Sequence, residues 1–167
     1  MKTLIHLAKS TLIVASIFLA SCSKDSSSSS SNPTPSGGNY FKLDGTLVTP
    51  DVVNVTVYDN MVAGGKYIDV YAFKDSKQVL ELHMPAAVGN YPAQHDGFTM
   101  TNSWLTYQNP AESNFELADF HSNSGSMNVT SFNEADEKLV ATFSFVGGNT
   151  ASATHNITEG HLNISGF

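Results

Sequence analysis

Arginine is absent from the 167 residues, and cysteine and tryptophan occur once each. With eight lysines as its only fixed cations against fifteen acids, for a net charge of −7, the chain lacks the clustered basic groups that neutralise a phosphate backbone. Nucleic acid is therefore excluded as a partner. One cysteine cannot form an internal disulfide, and it also rules out zinc ribbons, zinc fingers and CxxC redox motifs. GxSxG, HExxH and GxGxxG are missing, and Gly65-Lys66 is followed by Tyr67 where a P-loop needs Ser or Thr. The apolar run Thr11 to Ala20 is about half of the roughly 20 residues a membrane-spanning helix needs.

That run has a different use. It follows Lys2 and Lys9, no acid precedes Cys22, and Leu19-Ala20-Ser21-Cys22 closes it. A charged start, a short apolar core and small residues before the end are the layout of a secretory signal. The four closing residues resemble the lipobox of bacterial lipoproteins. The resemblance implies a signal peptide over 1–21, lipid coupled to the Cys22 sulfur, and a membrane partner reached through that anchor. Several acyl chains on one cysteine hold a protein stably where a single chain holds it only marginally. Ser23, in place of an inner-membrane retention Asp, favours the outer membrane, on its periplasmic face or at the cell surface. Lys24-Asp25 resembles a short form of the charged signal that exports Bacteroidetes lipoproteins to the surface.

Between Ser23 and Asn39 stands no residue of the set AVILMFWYC, and Ser26 to Ser31 is unbroken serine. Such a stretch buries too little to offset the entropy of ordering, so 22–39 reads as a lipidated cysteine followed by a disordered tether. As a flexible coil it spans about 20 to 25 Å. Removal of the leader with its two lysines takes the net charge from −7 to −9.

Residues 40–167 then form one domain with a period of two. Val53, Val55 and Val57 alternate with Asn54, Thr56 and Tyr58; Leu80, Leu82 and Met84 alternate with Val79, Glu81 and His83; Leu139, Ala141, Phe143 and Phe145 alternate with Val140, Thr142, Ser144 and Val146. Turn residues bound these runs at Asp44-Gly45, Gly64-Gly65, Lys74 to Lys77, Gly89-Asn90, Asn133 to Glu137 and Glu159-Gly160. The fold class expected is all-β, an antiparallel β-sandwich or alternatively a barrel-like sheet, of about nine or ten strands with a helical turn near Ala111 to Asn114. If Glu159-Gly160 is a two-residue turn, Thr158 faces His161, and His155, Ile157, Leu162 and Ile164 share one face.

Tyr40 to Gly45, Gly89-Asn90-Tyr91, Ser124 to Val129, Ala141 to Phe145 and Ile157 to Leu162 together are similar to a family of uncharacterised Bacteroidetes lipoproteins. The resemblance implies a β-sandwich lipoprotein and brings no catalytic residues. Ala141 stands where the family pattern has Gly.

The chemistry-bearing residues do not form a signature. Of His83, His95, His121, His155 and His161, the last two point to opposite faces under the hairpin register, His83 stands on the more polar face of its strand and His95 lies in a loop; a zinc site needs three or four converging ligands, so no metal or other cofactor is expected. Glu81, Glu112, Glu116 and Asp119 are the acids from which a glycosidase pair would be drawn, but such a pair is defined by a distance. Tyr67, Tyr71, Trp104 and Tyr107 are the candidates for a binding surface, facing outward if Ile68, Val70 and Ala72 face the core. With no catalytic residue assigned, the reading is a lipid-anchored cell-envelope domain that binds, adheres or assists, its ligand a glycan or a protein. A small extracytoplasmic hydrolase acting on glycans or lipids, and a structural subunit of an envelope assembly, are the alternatives.

Overall fold

The computed structural model describes residues 37–95, 97 and 102–167. The expected signal peptide, the lipobox-like Leu19 to Cys22 and most of the expected tether lie outside the described residues. Ten strands follow: β1 (Tyr40–Leu43), β2 (Thr46–Val48), β3 (Val52–Asp59), β4 (Lys66–Lys74), β5 (Lys77–Pro85), β6 (Gly89–Pro92), β7 (Trp104–Gln108), β8 (Asp119–Asn133), β9 (Lys138–Gly148) and β10 (Thr154–Ser165). The one helical turn among the described residues, α1 (Phe115–Ala118), lies four residues beyond the place the sequence suggested and is capped by the Asn114 side chain, which accepts from the Glu116 amide.

The strands form one antiparallel sheet in the order β2-β1-β10-β9-β8-β7-β5-β4-β3, with β6 also paired to β8. Apart from α1 the described residues are all-β, and the sheet curls into a half-barrel. Its connectivity requires the curl. Edge strands β2 and β3 are consecutive in the chain, joined by Thr49, Pro50 and Asp51, so the two edges are at most about 14 Å apart at that end. Flat, nine strands would hold them about 38 Å apart. Phe41 on β1 meets Tyr107 on β7 at 6.5 Å although three strands separate them in the sheet.

The 15-residue strand β8 carries the bend. The start of β8 pairs with β7 through Asp119 to His121, and its middle pairs with β6 through Ser126 to Val129, so β6 and β7 share one side of it. Register shifts against β9 fall between Ser122 and Ser124 and between Val129 and Ser131. Bulges at such places bend a strand and increase its twist. At Gly125, with φ +152°, a Cβ would lie 2.2 Å from the Ser144 carbonyl oxygen, so only glycine fits the close approach of β8 to β9.

The alternating apolar sets face inward as the period of two requires. Ile68, Val70 and Ala72 of β4, Leu80, Leu82 and Met84 of β5, and Leu139, Ala141, Phe143 and Phe145 of β9 are buried in one core. Val53, Val55 and Val57 of the edge strand β3 pack against it while staying partly open. Asp44-Gly45 and Asp75-Ser76 both take positive φ at two successive residues, which suits the tight hairpins β1-β2 and β4-β5.

The expected final hairpin is not formed. Glu159-Gly160 lies inside a continuous β10 that runs between β1 and β9. Thr158 pairs with Lys42 rather than facing His161, which pairs with Thr142 and Tyr40. Glu159, at φ +50°, marks a bulge of one extra residue between Ile157 and Gly160. The extra residue reverses the alternation, so Ile157, Leu162 and Ile164 are all buried; a turn and a bulge predict the same faces with opposite topologies. Gly89-Asn90, also read as a turn, opens β6 and pairs with Val129 and Asn128.

Candidate functional site

Two patches on the outer face of the sheet gather polar and aromatic side chains. The first lies on β3, β4, β5, β7 and the start of β8, opposite the core. Because Ile68 and Val70 point inward, Tyr67, Asp69 and Tyr71 point outward, and the register sets Asp69 beside His83 and His83 beside Trp104. Three of the four aromatics singled out in the sequence therefore share this face. Tyr107, an odd number of residues from Trp104, turns inward and packs on Phe41 and Phe120 at 5% exposure.

His83 is the centre of the patch and is 3% exposed. Its ring is stacked between Tyr67 at 5.0 Å and Trp104 at 5.2 Å. Its Nδ1 donates to Asp69 Oδ1 at 2.6 Å, and the Tyr58 hydroxyl lies 3.2 Å from the same nitrogen. Burial, with the Asp69 charge beside it, pushes the Tyr58 hydroxyl up to about 12, so it stays protonated. The ring array continues through His95, edge-on to Trp104 at 5.5 Å, to His121, stacked on His95 at 4.3 Å. The His121 Nδ1 is 2.9 Å from Thr106 Oγ1. Burial lowers the His121 pKa, and the Asp119 charge partly offsets it. These rings are packed on one another, so the patch is a consolidated polar cluster rather than a free aromatic strip.

The four acids separate. Glu81 belongs to the ring patch, and burial, followed by the Asp69 charge, raises its pKa. Asp119 lies two strands away on the same face, 8% exposed, with Oδ1 lacking a hydrogen-bond partner among the described residues. Glu112 accepts from the Ser113 and Asn114 amides and shapes the loop before α1, where Glu116 sits. His155 bonds Asp44 at 2.5 Å at the far end of β10. Among the described residues no three His, Cys, Asp or Glu side chains converge as a metal site would require, and no helix is long and apolar enough to cross a membrane.

The second patch is a trough of about 370 Å³ over β8, β9, β10 and β1. Ser126 and Asn128 of β8 and Thr142 and Ser144 of β9 form its floor. One wall is the Tyr40 ring stacked on His161 at 5.3 Å and 15°. The His161 Nδ1 donates to the Gly38 carbonyl at 2.7 Å, and the Asn39 side chain accepts from the Asn163 amide, so the last residues of the expected tether are fastened to β10. The β10 bulge brings Glu159 to the rim, where it pairs with Lys42 at 2.8 Å. Sequence reasoning did not single out this trough. Its members are ordinary outward Ser, Thr and Asn positions, and only the register across four strands collects them.

No family model, no curated protein and no solved structure matches the chain.

Proposed function

We propose that this chain is a noncatalytic binding domain of the bacterial cell envelope, anchored to the outer membrane by lipid on Cys22 and carrying its ligand in the trough beside Tyr40 and His161. The observation that carries the reading is the trough itself. It is a concave site where hydroxyl and amide groups converge under a half-buried aromatic ring, the composition of a site that orients a ligand. The hydrogen bonds and stacked rings around His83 and Asp69 serve to consolidate the other patch. The lipobox and the tether support the envelope address.

Two experiments test the two halves of the proposal. Cys22→Ser should move the chain from the membrane to the soluble fraction without changing its thermal midpoint; a variant still pelleting with membranes overturns the anchor. For the site, the purified chain is applied to a mixed glycan and envelope-protein array beside Thr142→Lys, which fills the trough. Ligands bound by the parent and lost by the variant support the trough, and ligands retained unchanged overturn it.

A further inference from the structure

We infer that the trough takes an uncharged polysaccharide, a deepening that rests on the proposed binding function of the same site. The argument starts from charge. Without its leader the chain has the net charge of −9 derived above, yet the floor residues Ser126, Asn128, Thr142 and Ser144 are all neutral. The acid that lines the trough, Glu159, is paired with Lys42 at 2.8 Å. A polyanion finds no unpaired cation there and is repelled by the domain as a whole; a polycation finds no free acid on the floor.

What remains is hydrogen bonding and one ring. Hydroxyl and carboxamide groups both donate and accept, which matches the hydroxyls of a sugar, which also do both. The register aligns Asn128, Thr142, His161 and Tyr40 as one row across four strands, with Ser126 and Ser144 as the next. At the spacing of paired strands the first row is about 14 Å long, an extended site rather than a single-ring pocket. Tyr40 at its end has an apolar face and a polar tip, and the stack on His161 holds its orientation. The floor belongs to strands paired on both sides, so little ordering entropy is lost when it binds.

The test is affinity electrophoresis of the detergent-solubilised mature chain through gels containing dextran, galactomannan or arabinoxylan, and through gels containing polygalacturonate as the anionic counterpart. Retardation is expected in at least one neutral polymer, insensitive to salt, and absent in polygalacturonate. The double variant Asn128→Ala, Thr142→Val alters exposed positions, keeps the thermal midpoint, and should weaken the retardation about tenfold. No retardation in any neutral polymer overturns the inference. Retardation by polygalacturonate alone, lost in the double variant, overturns the ligand class and leaves the binding trough standing. Retardation that the double variant leaves unchanged overturns the trough, and the proposed site with it.

Discussion

Residues with one neighbour too close or one charge too deep give the sharpest predictions. Gly125 has the Ser144 carbonyl oxygen 2.2 Å from the place a Cβ would occupy, and Phe145 Cα at 2.6 Å. Both obstacles are backbone, so no rotamer change relieves them. Gly125→Ala should cost about 3 kcal/mol, read as a shift in the urea midpoint. Glu81 makes the opposite case. Burial and the Asp69 charge raise its pKa above the carboxylate value of the unfolded chain, so the folded state is most favoured when Glu81 is protonated and loses stability as pH rises through the raised value. Glu81→Gln should therefore increase the thermal midpoint at neutral pH and have little effect in acid. A midpoint that falls at neutral pH would mean that its bonds to Gln78 and Tyr71 outweigh the charge.

At the scale of elements, β10 separates what alternation reveals from what it leaves open. Leu162 and Ile164 share a face by spacing alone, whereas Ile157 joins them only because the alternation is reversed at Glu159-Gly160, which a turn and a bulge do equally. Whether Glu159-Gly160 turned the chain or bulged it was not legible, because that depends on which strands arrive on either side. With β1 and β9 on its two flanks, β10 is an interior strand. Removing residues 160–167 should uncover both neighbours and abolish cooperative unfolding, visible as the loss of a sharp calorimetric transition. The outer patch on β5, β7 and β8 predicts a pH dependence. Burial holds the His121 pKa below 6.5, so as pH falls the unfolded chain takes the proton first. Stability should be complete above about pH 6.5 and decline below it, down to the folded pKa. Urea midpoints measured across that window should fall for the parent and stay flatter for His121→Gln.

For the whole molecule the decisive feature is that the two edges of the sheet, β2 and β3, are neighbours in the chain without being hydrogen-bonded neighbours. Core packing, seen in Phe41 against Tyr107 and Phe143, holds the curl. Two glycines inserted after Pro50 should accordingly change stability by less than about 1 kcal/mol in a denaturant titration, the cost of a slightly longer loop. A larger loss would show that the connection itself draws the edges together.

The sequence by itself determined the class of the fold and the alternating faces of β3, β5 and β9, because alternation, turn residues and the lack of helical periodicity are local properties. It also carries Leu19 to Cys22 and the apolar-free run after them, on which the proposed envelope address rests, since both are linear features. The tertiary structure alone decided that the strands form one curled sheet, that Tyr107 parts from Tyr67, Tyr71 and Trp104, and that Asp69 meets His83. It alone set Tyr40, Asn128, Thr142 and His161 in one row. These four come from β1, β8, β9 and β10, and no pattern along the chain encodes a juxtaposition that arises only when register aligns strands more than a hundred residues apart.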